Sequence, residues 1–241
     1  MRTLCVIPAR LASSRLPHKP LQPIANQPLI RVVAQRALDL GCFDHVVVAA
    51  DDKRICDAVQ GIDVEPVLTR QHRSGTDRVA EVAALARFAA VEIVVNLQGD
   101  EPFVAESAVA GSIDRVRAGC GVGTAAGPWA GEDIEDPHTV KVFVDSHGNA
   151  AGFSRRATPP EGLADCAVLH HVGIYAYRPA ALARWAATGP VAAEIAADLE
   201  QLRPLSYGER IGVAATAEPP AMGINTAEDL RRAELIMSVA C

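Results

Sequence analysis

Three basic side chains lie in one short loop near the beginning of the sequence. Arg10, Arg15 and Lys19 follow Thr3–Pro8, an apolar run typical of a buried strand, and small residues lie between them. Lys19 is one of only three lysines in the chain. Cationic side chains and backbone N–H groups in such a loop can bind a polyphosphate. A solvated basic loop is the alternative interpretation.

A carboxylate occupies a comparable position after another predicted strand. The apolar run Ile93–Leu97 leads into Gln98-Gly-Asp-Glu-Pro102, which contains Asp100. Mg²⁺ that bridges phosphates needs only one or two protein carboxylates, so Asp100 is a candidate metal ligand. Because Gly-Asp-Glu-Pro also has ordinary turn chemistry, Asp100 can equally be a turn residue.

A third segment, His72-Arg-Ser-Gly-Thr-Asp-Arg78, opens an apolar-periodic helix. Ser74 or Thr76 suits the N-cap of that helix. A helix N-terminus with small residues also suits an anion or the edge of a base. We expect the Arg78 side chain to point back toward the crevice at the carboxyl ends of the predicted strands, where ligands of such sheets bind.

Two common nucleotide-binding motifs are missing from the sequence. No Gly-x-Gly-x-x-Gly follows the first strand, and no Gly-x-x-x-x-Gly-Lys-Ser/Thr occurs. Their absence disfavours a nicotinamide enzyme and a P-loop NTPase.

Composition narrows the class of protein further. The 241 residues have a net charge of −6 and are 49% hydrophobic, which is typical of a globular protein and argues against nucleic acid as the main partner. The six cysteines are scattered without metal-ligand spacing, which favours reduced thiols and a cytoplasmic location. We expect no signal peptide and no membrane span.

Apolar β-rich runs alternate with helical patterns, which predicts an α/β fold with a mostly parallel sheet. The predicted strands are Thr3–Pro8, His45–Ala50, Val64–Leu68, Ile93–Leu97, Gly123–Ala126, Val140–Asp145, His171–Tyr177 and Ile211–Ala215. The predicted helices are Leu29–Leu40, Lys53–Gln60, Gly75–Phe88, Glu106–Ala118, Pro179–Trp185, Ala192–Arg203 and Thr226–Val239. This alternation of strands and helices is interrupted at about 145–178. There a strand, a Pro-containing loop and a second strand indicate an antiparallel arm inserted into a single domain, 1–241.

Taken together, the motifs resemble one family, the 3-deoxy-manno-octulosonate (Kdo) cytidylyltransferases or CMP-Kdo synthetases. The resemblance covers nearly the whole chain and is carried by these segments: Pro8-Ala-Arg…Ser14-Arg-Leu-Pro-His-Lys-Pro-Leu21, Ser74-Gly-Thr-Asp-Arg78, Asn96-Leu-Gln-Gly-Asp-Glu-Pro102, Val140-Lys-Val142, Phe153-Ser-Arg155, His171-Val-Gly-Ile-Tyr175, Leu199-Glu-Gln-Leu-Arg203 and Gly223-Ile-Asn-Thr-Ala-Glu-Asp-Leu230.

The resemblance implies a Rossmann-like nucleotide-diphospho-sugar transferase fold and Mg²⁺-dependent transfer of CMP from CTP to an acidic acceptor. It implies a homodimer built by the arm. It assigns the triphosphate to Arg10, Arg15 and Lys19, and the metal to Asp100 with Asn225. It assigns the remaining substrate contacts to Ala9, Ser14, Ser74, Gly75, Arg78, Gln98, Lys141, Arg155, His171, Tyr175, Glu200 and Gln201.

The departures from the family pattern fall on the acceptor and metal side. Asn225 stands where the family has a metal-binding aspartate, so it either ligates Mg²⁺ through its amide or only caps the following helix. Arg156 adds a cation, and Ala197 replaces a glutamate. Kdo is the leading acceptor. A small phosphonate such as phosphonoformate is the alternative, and a non-catalytic nucleotide-binding paralogue is a second alternative.

Overall fold

The structure is a computed structural model that describes residues 1–13, 15–129 and 134–239. Its contacts divide the chain into two compact units. The first unit comprises residues 1–104 and the chain from 221 onward, and the second comprises residues 105–220. The predicted organisation as one domain with an inserted arm stays a prediction.

Strands and helices alternate along the described chain. The strands are β1 (Thr3–Ala9), β2 (Pro23–Ile24), β3 (Gln27–Pro28), β4 (His45–Ala50), β5 (Glu65–Leu68), β6 (Ile93–Asn96), β7 (Val122–Gly127), β8 (Lys141–Val144), β9 (Ala150–Ser154), β10 (Ala167–Tyr177) and β11 (Ile211–Ala215). The helices are α1 (Leu29–Asp39), α2 (Lys53–Ala58), α3 (Gly75–Ala83), α4 (Glu106–Arg117), α5 (Pro179–Ala187), α6 (Ala192–Ala197), α7 (Leu202–Ser206) and α8 (Ala227–Val239), with 3₁₀ turns at Lys19–Leu21 and Ala86–Phe88. The α/β fold with a mainly parallel sheet and additional antiparallel strands is confirmed.

The first unit contains four parallel strands in the order β6-β1-β4-β5. In the central strand β1, residues 4–7 are completely buried, as expected for a parallel strand covered on both faces. Because the strands are parallel, the loops after Ala9, Ala50 and Asn96 leave from the same edge of the sheet. Ligands of open α/β sheets bind at this edge.

Helix α3 packs against β1, β4 and β6 through an apolar face that includes Val79 and Val82. Ser74 caps the helix, since its hydroxyl accepts the backbone N–H of Asp77 at 3.2 Å. This contact confirms the N-cap predicted for Ser74 and fixes where the helix begins relative to the sheet edge.

The second unit has a different sheet pattern. Strand β7 pairs in parallel with β11 and antiparallel with β10, while β8 pairs antiparallel with both β9 and β10. Helix α4 lies close to β7, because a Cβ on Gly123 would lie only 2.0 Å from the carbonyl oxygen of Ser112. Glycine is therefore required at that crossing.

The antiparallel segment β8–β10 occupies residues 141–177, close to the arm predicted at about 145–178. The sequence prediction missed β9 and started β10 at His171, four residues too late. The register of β10 against β7 shifts between Val172 and Tyr175. A β-bulge of this kind re-aims side chains locally, here those of a predicted acceptor segment.

Two predicted helices are wrong in their extent. Helix α3 ends at Ala83 because Leu85 is extended, and Phe88 is buried from a separate 3₁₀ turn. The predicted helix Ala192–Arg203 is two short helices, α6 and α7. Asp198 adopts a left-handed conformation (φ 51°) that ends α6, and Pro204, which lacks an N–H, fits only the first turn of a new helix.

Among the described residues, no helix combines the length and the apolar character that a membrane crossing needs.

Candidate active site

A cavity of about 290 Å³ lies in the first unit, at the edge where the parallel strands end. Its walls are the loop after β1, the 3₁₀ turn at Lys19, the segment that begins α3, the loop after β6, and Asn225. The predicted site residues among its lining are Ala9, Arg10, Arg15, Lys19, Ser74, Gly75, Arg78, Gln98, Asp100 and Asn225. The structure therefore brings together all three motifs of the first unit. Ser14, also predicted, lies outside the described residues.

Lys19 is at the centre of the polar contacts in this cavity. Its Nζ lies 2.5 Å from Oδ2 of Asp100 and 3.2 Å from Oδ1 of Asn225. About a fifth of each side chain of the Lys19–Asp100 pair is exposed. The Arg15 guanidinium donates to the same Asn225 oxygen at 3.1 Å. Lys19 and Arg15, both from the segment after β1, thus converge on the side-chain oxygens of Asp100 and Asn225.

Asn225 does not cap helix α8, so that interpretation of the sequence is wrong. The cap is Thr226, whose hydroxyl accepts the N–H of Asp229 at 3.1 Å. The Asp229 carboxylate in turn accepts the backbone N–H of Thr226 at 2.8 Å. This reciprocal pair satisfies the helix terminus and leaves the Asn225 amide directed at Lys19 and Arg15.

The oxygens around Lys19 suit a hard divalent cation that takes its other ligands from phosphate and water. Asp100 supplies a carboxylate and Asn225 an amide oxygen, and both lie within hydrogen-bond distance of one ammonium group. In the described ranges no group of three or more His, Cys, Asp or Glu side chains could hold a metal by itself. This donor set therefore fits a metal that is bound together with a phosphate ligand.

Glu101, which the sequence prediction did not assign, lies beside the pair. Its carboxyl group packs on Gly223, where a Cβ would lie 2.7 Å from Oε1. Burial and the neighbouring Asp100 charge raise the pKa of Glu101 to about 8, although Lys19 opposes the shift. Glu101 is therefore mostly protonated at neutral pH and adds little negative charge to the site.

The start of α3 forms another wall of the cavity. Gly75 faces the end of β1, since a Cβ there would lie 3.4 Å from Cγ of Pro8 and 3.8 Å from Oε1 of Gln98. Gln98 itself is oriented by Asn96, whose side-chain oxygen accepts its amide at 3.2 Å. The start of α3 therefore packs closely against both Pro8 and Gln98.

Arg78 extends from α3 with its side chain only 5% exposed. It donates to the hydroxyl of Thr69, and its Nη2 lies 3.6 Å from Oδ2 of Asp51. Burial lowers the pKa of Arg78 from its usual value, and the charges of Asp51 and Glu81 act in the opposite direction. The predicted orientation of Arg78 toward the cavity is confirmed by its place in the lining.

His72 and Arg73 also line the cavity, although the sequence prediction gave neither a role. The His72 ring contacts the Glu81 carboxylate, and Arg73 lies 3.7 Å from Asp77. Their position directly before the Ser74 cap was the only signal in the sequence that could have identified them.

The remaining predicted residues belong to the second unit. His171 is buried, and its Nε2 lies 3.0 Å from the Thr124 hydroxyl. Burial lowers the pKa of His171 to about 3, and neighbouring His170 contributes. Burial, Tyr177 and Glu200 raise the pKa of Tyr175 well above its usual value. His171 and Tyr175 are therefore neutral at physiological pH.

Lys141 and Arg155 make mainly backbone contacts. The ammonium of Lys141 donates to the carbonyl oxygens of Asp136 and Arg155 at 2.7 and 2.9 Å. Arg155 donates to the carbonyl oxygen of Asp198 at 3.1 Å and is about one-third exposed. Lys141 thus braces the segment from which Arg155 projects. Substrate contacts by either residue stay a prediction.

Glu200 and Gln201 lie in the turn between α6 and α7. Oε1 of Glu200 lies 3.8 Å from Nη2 of Arg203, and Nε of this buried arginine donates to Oε2 of Glu194 at 2.8 Å. Gln201 is 8% exposed. The break between the two helices therefore holds both predicted acceptor residues in one turn.

Comparison with known proteins identifies the family. A family model described as cytidylyltransferase matches residues 4–211. The chain belongs to the cytidylyltransferase family. Two curated relatives of this cytidylyltransferase are named 3-deoxy-manno-octulosonate cytidylyltransferase. The one from Gemmatimonas aurantiaca is 44% identical, over 97% of this chain and 93% of the relative. The one from Pseudomonas fluorescens is 45% identical, over 96% of each chain.

Solved structures agree with this assignment. One described as CMP:2-keto-3-deoxy-manno-octonic acid synthetase complexed with CTP matches the cytidylyltransferase with a TM-score of 0.89 and 36% identity over 100% of both chains. A 4-diphosphocytidyl-2C-methyl-D-erythritol synthase from Anaerococcus prevotii matches at a TM-score of 0.66 and 14% identity, which shows a shared fold alone.

Proposed function

We propose that this cytidylyltransferase transfers CMP from CTP to Kdo and releases pyrophosphate, giving CMP-Kdo. The observation that carries the proposal is the cavity in which Arg10, Arg15 and Lys19 face Asp100 and Asn225. The relatives named for this activity are similar over nearly the full length of both chains, which supports the same acceptor.

The cationic loop is proposed to bind the triphosphate. A chain with net charge −6 repels a polyanion at long range, so the attraction has to be local. Arg10, Arg15 and Lys19 supply that local positive charge along one wall of the cavity. Fixed cations of this kind also stabilise the charge that develops on a departing pyrophosphate.

Ser74, Gly75, Arg78 and Gln98 are proposed to shape the cytidine site, together with Ala9 and Ser14. Ser74, Gly75, Arg78 and Gln98 line the same cavity as the cationic loop, so a base held there would lie close to the triphosphate site. Arg78 and Gln98 place hydrogen-bonding groups in this cavity, and both are held in position by neighbouring polar side chains.

Asp100 and Asn225 are proposed to hold Mg²⁺. When bound, this ion would neutralise phosphate charge and polarise the phosphoryl group. Lys19 contacts both ligands, so it can balance the Asp100 charge and donate to the Asn225 oxygen when the metal is absent, and contact phosphate when the nucleotide is bound.

The reaction needs little covalent participation from side chains. An acceptor hydroxyl oxygen forms a bond to the α-phosphorus of CTP, and the bond from that phosphorus to the bridging oxygen of the β-phosphate breaks. Pyrophosphate leaves with the bonding electron pair, and the hydroxyl proton passes to solvent. Catalysis then consists of positioning the acceptor hydroxyl against the α-phosphorus and neutralising the charge of the phosphates.

The acidic acceptor is proposed to contact Lys141, Arg155, His171, Tyr175, Glu200 and Gln201. Neutral His171 and Tyr175 can exchange hydrogen bonds with sugar hydroxyls without adding charge. Arg155 retains exposed surface through which its guanidinium can meet a carboxylate. A homodimer and a cytoplasmic location remain part of the proposal.

The experiment is pyrophosphate release measured with CTP, Mg²⁺ and a panel of acids that includes Kdo and phosphonoformate. We expect turnover with Kdo and a much lower kcat/KM for phosphonoformate. Efficient turnover of phosphonoformate alone would replace Kdo as the acceptor. CTP binding without turnover of any acid would favour the non-catalytic paralogue.

A further inference from the structure

One carboxylate connects two separate walls of the nucleotide cavity. Asp51 follows β4 at the edge where the parallel strands end. Its Oδ1 accepts the backbone N–H of Leu11 at 2.9 Å, and its Oδ2 lies 3.6 Å from Nη2 of Arg78. Leu11 belongs to the cationic loop and Arg78 to helix α3, so these two elements share Asp51 as a common support.

The contact to Leu11 acts on the phosphate-binding loop. Leu11 immediately follows Arg10 and lies four residues before Arg15, both of which line the cavity. None of the described residues in this stretch pairs with a strand, since β1 ends at Ala9. The hydrogen bond from Leu11 to Asp51 therefore restrains the backbone from which the phosphate-binding arginines project.

The contact to Arg78 acts on the other wall. The guanidinium is nearly buried, and Asp51 and Thr69 approach it from the ends of β4 and β5. Thr69 is itself anchored, because its hydroxyl donates to the carbonyl oxygen of Ala50 at 3.0 Å. With both partners fixed to strand ends, Arg78 is restrained to one orientation toward the cavity.

The adjacent residue shows that this arrangement is specific to Asp51. The Asp52 carboxylate caps α2 by accepting the N–H of Arg54 at 2.9 Å and also binds the Arg54 side chain. Asp52 therefore supports its own helix, while Asp51, with 18% of its side chain exposed, supports the cavity. The chain thus provides a matched control of identical chemistry one position away.

We infer that Asp51 is a positioning residue of the nucleotide site, which couples the phosphate loop to Arg78. The inference rests on the proposed function and deepens it, because it assigns the support of CTP binding to a side chain that need not touch CTP. The two oxygens have separable roles. One receives the loop N–H and requires only an acceptor, and the other balances the guanidinium and requires a charge.

The test compares D51N, D51A and the control D52N. D51N keeps an oxygen for the Leu11 N–H but loses the charge facing Arg78, so we expect its dissociation constant for CTP to rise roughly five- to tenfold with kcat nearly unchanged. D51A loses both contacts, so we expect a rise of about fiftyfold or more and a lower kcat. D52N should stay within about twofold of wild type in both constants and unfold at nearly the same temperature, because asparagine caps a helix about as well as aspartate.

Binding of CTP is measured by calorimetry without any acceptor, and kcat and KM are measured with acceptor. If D51A does not fold, D51N and D52N decide the matter. Folded D51 variants with an unchanged dissociation constant and KM would overturn the inference, as would a D52N variant that loses affinity equally. If the wild type binds CTP but does not turn it over, the proposed function is refuted. The CTP dissociation constants of the Asp51 variants would still test the inference in that case.

Discussion

Replacement of Lys19 by alanine tests the phosphate-binding loop most sharply. Its ammonium lies 2.5 Å from Asp100 and 3.2 Å from Asn225, in the cavity with Arg10 and Arg15. Loss of one preorganised charge contact to a transition state costs about 3 kcal/mol. At ~1.4 kcal/mol per tenfold change in rate, Lys19→Ala should lower kcat/KM by roughly 10²-fold or more.

The same substitution should cost some stability but leave the protein folded. Because about four fifths of each side chain in the Lys19–Asp100 pair is buried, removing Lys19 leaves Asp100 without its cation and costs on the order of 1–3 kcal/mol. For a chain of this size each kcal/mol corresponds to a melting shift of about 2–4 °C. A roughly 10²-fold kinetic loss in a variant that is still folded at the assay temperature is therefore the signature of a phosphate-binding lysine.

Lys53→Ala is the matched control for this experiment. Lys53 also pairs with an aspartate, Asp57, at 2.8 Å, but its side chain is 79% exposed and it does not line the cavity. Pyrophosphate release with CTP and Kdo, followed alongside thermal unfolding, should show the control unchanged. Normal turnover in a folded Lys19→Ala variant would refute the reasoning.

Three further predictions concern Asp100, His171 and the oligomeric state. Asp100→Asn should nearly abolish turnover and raise the Mg²⁺ concentration needed for half-maximal rate, and unchanged metal titrations would make Asp100 a turn residue only. His171 has a pKa of about 3 in the fold against 6.5 ordinarily, so the unfolded chain binds a proton that the folded chain excludes and stability falls as pH drops below about 6.5. His171→Gln should remove about 2 kcal/mol of that loss between pH 7 and 5, measured by urea unfolding at both values, whereas equal pH dependence would show that His171 does not titrate this way. Light scattering at micromolar concentration should give the mass of a dimer, and a monomer mass would contradict the homodimer.

The strands and the cavity residues of the first unit could be predicted from the sequence because the patterns that indicate them are local. Strands such as Thr3–Ala9 are continuous apolar runs, and their loops leave from one edge whenever the strands are parallel. That geometry alone places Lys19 and Asp100 near each other. It could not decide the role of Asn225, which depends on whether Thr226 caps α8 instead.

The second unit was harder to predict because its signals are weak or long-range. The left-handed conformation of Asp198 splits a helix that periodicity alone makes continuous, and Pro204 was the available warning. Strand β9 is short and lies next to a turn, so it lacks a clear apolar pattern. In the first unit, the role of Asp51 was not accessible either, because its partner Leu11 is 40 residues away in the sequence.

The most direct test of the central claim is the identity of the product. Purified protein is incubated with CTP, Mg²⁺ and Kdo, and the mixture is analysed by mass spectrometry with pyrophosphate quantified in parallel. The account predicts CMP-Kdo and pyrophosphate in a one-to-one ratio, both strongly reduced in Lys19→Ala. Release of pyrophosphate without CMP-Kdo, or no reaction at saturating CTP and Kdo, would contradict it.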